Sequence, residues 1–243
     1  AQGLAARAFC CSQLAQLYQF NYKGHESAPC VPIITNENSA DAALNGAARA
    51  TVQEVYDQAL GDINTAITLL TSAQAAGQKR ADKRYIDLAV AYGIRARMDL
   101  AMQDYAAALA DADAAIQATP AKPATIEEVG HPTFCSADEN NWMWGIYVAE
   151  TDDVVSSGIV NWISHCGTFN YGYGQYAGGR QISKKLYNPI PVTDIRKGWW
   201  SDANGKCANI EPEWQAYLDK MEFAPYTNCK FAPYQNVLEN DVN

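Results

Sequence analysis

Four stretches between Leu4 and Ile116 space their apolar residues three and four positions apart, which sets them on one face of an α-helix, and the pattern stops at Pro120. That periodicity commits the first half of the chain to helices packed on helices. Residues 4–18 align Leu4, Ala8, Cys11, Leu14 and Tyr18. Thr51-Val52-Gln53-Glu54 is a capping box, whose hydroxyl and carboxylate each satisfy an otherwise orphan backbone N–H. The helix it opens carries Val52, Tyr56, Ala59, Ile63, Ala66 and Leu70 as its buried stripe. A third helix is expected over about residues 82–101, with Tyr85, Ala89, Tyr92, Ala96 and Leu100 on one side. A fourth follows the tight turn at Met102-Gln103-Asp104, with Tyr105, Ala108, Leu109, Ala112, Ala115 and Ile116 on its apolar face. Pro120 ends it, because proline has no N–H to donate and disfavours helix at Thr119. Residues 21–48, broken by Lys23-Gly24-His25-Glu26 and by Pro29 and Pro32, read as an irregular connection.

The third and fourth helices form a pair whose Asp104-Tyr105 turn, Ala108, Ala115 and Pro120 sit at the spacings of the second helix of a tetratricopeptide repeat. A solenoid generally needs about three repeats, so further helices are expected outside this segment or in its less regular parts. After Pro123 the texture changes. Most of the Gly, Pro and Trp lie there, with short apolar runs such as Ile146-Tyr147-Val148 and Ile159-Val160 and one further clear helix over residues 213–221. The expected fold is mainly α. Residues 1–123 form a tetratricopeptide-repeat-like helical region, and residues 124–243 a loop-rich, largely irregular region packed on those helices in one continuous domain.

Composition narrows the function classes. At 48% hydrophobic and 19% charged residues the chain is an ordinary globular sequence, not a disordered one. A net charge of −9 with 18 scattered Lys and Arg argues against nucleic acid, whose phosphates require clustered cations. No apolar run approaches the roughly 20 residues that a spanning helix needs. The ends, Ala1-Gln2-Gly3-Leu4 and Asn240-Asp241-Val242-Asn243, read as those of an internal fragment, so any leader or lipid-bearing cysteine is expected outside it. Seven scattered cysteines are neither a dense disulfide framework nor a zinc pattern, and an odd count leaves at least one thiol unpaired. Cys10 and Cys11, inside a helical pattern, are expected as small buried hydrophobes.

Read in order, several stretches resemble the SusD/RagB family. Arg7-Ala8-Phe9 leading into Leu14 and Tyr18 is similar to the family's Arg-Ala helix, and Pro29-Cys30-Val31-Pro32 to the Pro-x-Val-Pro segment after it. The run from Arg49 to Tyr56, with Asp62-Ile63 and residues 66–70, resembles its most recognisable helix, and residues 81–114 its repeat-like hairpin. Asn140-Asn141-Trp142-Met143-Trp144-Gly145 is similar to its Glu-x-Ile-Trp-Gly strand. Ile182 to Tyr187 followed by Asp194-Ile195-Arg196 resembles its Asp-x-Arg segment. The family's late Pro-Leu-x-Arg…Glu-x-Tyr-Leu helix and its amino-terminal anchor region have no counterpart here. The resemblance implies a SusD-like α–α superhelix held at the cell surface by a lipid. It implies a non-catalytic outer-membrane protein that captures oligosaccharide and hands it to a SusC-like TonB-dependent transporter. Some relatives handle peptides instead.

Sugar capture rests on aromatic faces stacking on sugar rings and on amides and hydroxyls bonding to sugar hydroxyls. Residues 161–176 alternate rings with glycines and polar groups, which makes Trp162, Asn170, Tyr171, Tyr173 and Tyr176 the expected ligand-binding residues. Trp199-Trp200 is a second candidate, while Trp142 and Trp144 alternate like a strand and are expected in the core. Glu127-Glu128, Asp138-Glu139 and Asp152-Asp153 supply carboxylates, but adjacent acids at loop edges are ordinarily solvated charge, and no catalytic role is expected. His131 with Cys135 and His165 with Cys166 match no standard ligand spacing, so neither metal nor cofactor is expected. The competing class is a helical-repeat scaffold for protein partners, which would use a helical face and not the aromatic loop.

Overall fold

The computed structural model describes residues 1–149, 151–153, 165–169, 172–176, 178–233 and 236–238, with the backbone alone of Tyr173. It divides into two compact units, Ala1–Ala121 and Lys122–Asn243. The first is built from α1 (Gln2–Tyr18), α2 (Ser39–Asn45), α3 (Val52–Ala75), α4 (Leu88–Met102) and α5 (Tyr105–Ala118). At the start of α3 the capping box forms as its spacing demands. Glu54 N–H donates to Thr51 Oγ1 at 3.2 Å, and Thr51 N–H donates to Glu54 Oε2 at 2.7 Å. Val52, Tyr56, Ala59, Ile63 and Ala66 are buried as expected, joined by Val55, Asp62 and Ile67, while Leu70 is only half-buried.

The other buried faces differ from the apolar stripes, for one recurring reason. On α1 the buried residues are Ala5, Ala8, Ser12 and Ala15, and Leu14 and Tyr18 are exposed. Small side chains let α1 approach α3, and Arg7 reaches Asp62 of α3 with two bonds, Nε–Oδ2 at 2.6 Å and Nη2–Oδ1 at 2.7 Å. Cys10 is exposed rather than buried, and Cys11 half-buried. On α5 the buried residues are Ala108, Asp111 and Ala115, leaving Tyr105, Leu109 and Ile116 at 64%, 64% and 70% exposure. Arg95 of α4 donates from Nη2 to Asp111 Oδ1 at 2.7 Å, and that ion pair turns the small-residue side of α5 onto α4. Two bidentate Arg–Asp pairs, not the leucine stripes, select which face packs.

α4 begins six residues later than its pattern suggests. Asp87 caps it by accepting from Val90 N–H at 2.9 Å, while Asp82 accepts from Arg84 N–H in the preceding turn. Ala89, Val90, Ala91, Ile94, Met98 and Asp99 are buried; the expected Tyr85 and Leu100 are exposed. Gln103 takes the left-handed conformation, φ 64°, that makes the α4–α5 turn tight, and Thr119 is extended before Pro120. Within the long connection, residues 28–31 run antiparallel to residues 50–52, with Cys30 N–H donating to Ala50 O at 2.6 Å and Val52 N–H to Ala28 O at 3.0 Å. Cys30 then packs with Ala15, Val52, Val55 and Tyr56 in a small core.

The second unit contains α6 (Ile126–Gly130), α7 (Tyr173–Tyr176), α8 (Lys184–Tyr187), a 3-10 turn (Ile195–Trp199) and α9 (Pro212–Lys220). Its organiser is an extended segment, residues 226–232. Asn228 N–H donates to Arg180 O, Ser201 N–H to Thr227 O, Cys229 N–H to Trp199 O and Thr133 N–H to Lys230 O, all between 2.6 and 2.9 Å. One short segment thus satisfies backbone groups from three distant stretches, which is how a loop-rich chain avoids burying orphan donors. Beside it, Trp214, Tyr217 and Leu218 of α9 close on Phe169, Cys229 and Ala232. α9 matches the expected helix to within a residue. Trp142 and Trp144, expected in the core on a strand, are half-buried on irregular backbone, and Ile146 is exposed. Among the described residues no helix is long and apolar enough to cross a membrane.

Candidate functional site

The second unit holds a cleft of about 380 Å³ between α6, the 3-10 turn and the turn at residues 136–141. That volume lies within the ~300–1,000 Å³ typical of small-ligand pockets. One wall is aromatic. Thr125 caps α6, taking Glu128 N–H at 3.1 Å while Glu128 Oε2 accepts from Thr125 N–H at 2.7 Å. The end of α6 sits tight on the 3-10 turn, because Gly130 offers no side chain where a Cβ would lie 2.7 Å from Ile195 Cδ1. Trp199 Nε1 donates to Val129 O at 2.6 Å, which fixes the indole plane. Phe134, at φ 63°, stands edge-on to Trp199 with centroids 6.4 Å apart. Behind both rings lies the Lys230 ammonium, 4.3 Å from the Phe134 centroid and 4.6 Å from that of Trp199. Burial lowers the Lys230 pKa, and the ring faces it touches supply the attraction that keeps a cation there.

The opposite wall is polar. Asp138 Oδ1 accepts from Tyr147 Oη–H at 2.7 Å and Glu139 Oε1 from Cys135 N–H at 3.2 Å, so Glu128, Asp138 and Glu139 each have a bond within the fold. Asn140 and Asn141 differ. Asn140 accepts from Lys122 N–H only through its backbone carbonyl, and neither side-chain amide makes a hydrogen bond among the described residues. Two amides, each able to donate twice and accept twice, therefore line a cleft walled by a tryptophan and a phenylalanine. This arrangement suits a ligand with apolar ring faces and hydroxyl edges.

Of the residues expected to bind ligand, Trp162, Asn170 and Tyr171 lie outside the described residues. Tyr173 opens α7, and Tyr176 closes it with 65% of its surface exposed. The same stretch is anchored from beneath. Phe169 is fully buried with its centroid 4.9 Å from that of Trp214, and Gln175 Nε2 donates to Tyr217 Oη at 2.6 Å. The second aromatic candidate divides: Trp199 lines the cleft, and Trp200 lies half-buried beside it, bridged to Asn228. Phe134, Asn140 and Asn141 are cleft residues that sequence reasoning did not select as ligand-binding. A signal existed in the paired amides of Asn140-Asn141, but their partner Trp199 lies far along the chain and is brought near by its bond to Val129 O and by pairing through residues 226–232. His131 Nδ1 is 3.2 Å from Asn209 O, and His165 Nδ1 is 2.9 Å from Arg180 Nη2. Among the described residues no three His, Cys, Asp or Glu side chains gather as a metal site would require.

Residues 1–100 match the model of a family described as SusD-like, "Starch-binding associating with outer membrane". Among solved structures, a SusD-like carbohydrate binding protein from Bacteroides vulgatus aligns over 98% of this chain and 46% of its own, at 22% identity and a TM-score of 0.70. A SusD superfamily protein from Bacteroides thetaiotaomicron aligns over 97% of this chain and 48% of its own, at 16% identity and a TM-score of 0.65. The chain spans about half the length of these solved proteins. No curated protein sequence matches it.

Proposed function

We propose that this chain, whose residues 1–100 match a SusD-like family model and whose mainly helical fold resembles SusD-like structures over nearly its whole length, is a non-catalytic binding protein for oligosaccharides. The observation that carries the reading is the cleft, which the Trp199 and Phe134 rings line together with Asn140 and Asn141, whose side-chain amides make no hydrogen bond among the described residues. A sugar ring offers an apolar face for the rings and a rim of hydroxyls for the amides. The tyrosine-bearing stretch with Trp162, Asn170, Tyr171, Tyr173 and Tyr176 is proposed as a second contact region for a longer glycan. The carboxylates are tied into caps and turns, which supports structural roles for Glu128, Asp138 and Glu139 over catalytic ones.

The whole protein is proposed to sit at the outer membrane as a lipoprotein and to pass its ligand to a SusC-like TonB-dependent transporter. A protein-facing role finds support in one observation: α5 presents Tyr105, Leu109 and Ile116 to solvent along a single side. The test is calorimetry of the full chain against a panel of neutral oligosaccharides. Wild type is expected to bind one class saturably. Asn140→Ala with Asn141→Ala, which removes no bond that holds the fold, is expected to weaken binding roughly tenfold or more with melting unchanged. Binding that survives this pair but is lost in Tyr171→Ala with Tyr173→Ala and Tyr176→Ala moves the site to the tyrosine stretch. A folded wild type that binds no glycan but binds peptides overturns the reading.

A further inference from the structure

Two of the seven cysteines meet in the second unit. Cys229 is buried in the core formed by Phe169, Trp214, Tyr217, Leu218 and Ala232, and Cys207 packs against that same core from its half-exposed edge. Both are tied to the last two residues of the 3-10 turn: Cys207 Sγ–H donates to Gly198 O at 2.9 Å, and Cys229 N–H donates to Trp199 O at 2.6 Å. Anchoring on adjacent residues brings the two side chains to the same core, where the Cys229 Sγ–H donates to Thr227 O at 3.5 Å. Gly198 leaves room for the Asn209 side chain, because a Cβ there would lie 2.3 Å from Asn209 Nδ2.

We propose that Cys207 and Cys229 are a disulfide-forming pair, oxidised by thiol–disulfide exchange with a protein disulfide oxidoreductase. Cys207, the less buried member, loses its proton and its thiolate attacks the oxidoreductase disulfide, giving a mixed disulfide and one released thiolate. Cys229 then gives up its proton, and its sulfur displaces the second oxidoreductase sulfur. Two electrons pass to the oxidoreductase, which leaves as a dithiol, and the two protons end on its sulfurs. The division of labour follows the surroundings. The neighbouring Cys229 thiol lowers the Cys207 pKa, which favours the attacking thiolate. The Cys207 thiol and then burial raise that of Cys229, the group that acts second. The closed bond ties the 3-10 turn region to the extended segment that organises the unit, in the region whose regular structure is sparsest.

The full chain, incubated with a disulfide oxidoreductase and oxidised glutathione, is unfolded in the presence of N-ethylmaleimide and mapped by mass spectrometry. The expected result is a linked peptide pair containing Cys207 and Cys229, neither alkylated, that separates on reduction. Reduction is expected to lower the Tm of wild type by roughly 5–10 °C. Cys207→Ser, which leaves the core cysteine in place, is expected to start at the lower Tm and not to respond to reductant. Alkylation of both residues in oxidised wild type, or linkage of either to Cys135 or Cys166, overturns the proposal.

Discussion

Asp99 is a residue whose surroundings oppose its own charge. It is buried on α4 close to the Asp111 carboxylate of α5, with Arg95 committed to Asp111 and Asp104 nearby. Burial first and the Asp111 carboxylate second push its pKa up to about 6, against the opposing pull of Arg95. The sign follows by linkage. A carboxyl whose folded pKa lies above its unfolded value of about 3.9 favours folding when protonated, so its contribution is full below pH ~4 and is lost as pH rises through 6. Asp99→Asn imitates the protonated form and keeps a donor for Asp111. Its Tm relative to wild type is expected to climb between pH 5 and pH 8, in thermal melts read by circular dichroism. A constant offset across that range would show that Asp99 does not titrate there. The comparison must be differential, because Glu26, Glu54, Asp82, Asp194 and Asp219 have lowered values and act in the opposite direction, losing stability as pH falls.

Helix ends marked by a cap or a proline were readable because they depend on neighbours in sequence, whereas the start of α4 and the helix faces were not. The capping box at Thr51 and the stop at Pro120 are local chemistry, and both are realised. The faces of α1 and α5 were misjudged because Arg7, Asp62, Arg95 and Asp111 look like surface residues, yet bidentate pairing draws them between helices and carries small alanines with them. An apolar stripe marks a buried side only where nothing stronger competes. The cap gives a clean test at this scale. Thr51→Ala removes the acceptor for Glu54 N–H and is expected to cost about 1 kcal/mol, a Tm loss of roughly 2–4 °C for a chain of this size. Thr51→Ser is expected to restore most of it. Equal losses in both variants would mean that the threonine methyl, not the cap, supports α3.

At the scale of the whole molecule the mainly helical architecture was legible, since helical period and resemblance pointed to the same answer, and of the candidate cleft only Trp199 was singled out from sequence as a ligand contact. The aromatic stretch over residues 161–176 announces itself in sequence, but the cleft is assembled from residues 124–141 and Trp199, joined by hydrogen bonds to residues 226–232 that no local pattern encodes. A protein that both captures a glycan and docks on a transporter needs two surfaces that can be changed separately. The cleft belongs to the second unit, and the exposed Tyr105, Leu109 and Ile116 belong to the first. Leu109→Lys with Ile116→Glu places a charge at each of two positions already open to water, so helicity, melting and glycan binding are expected to stay as in wild type. Capture by the transporter in a pull-down from detergent is expected to fall roughly tenfold or more, because apolar anchors carry most of the energy of such contacts. Undiminished capture by the double variant would place the transporter-facing surface on another part of the chain and leave the α5 side as ordinary exposed hydrocarbon.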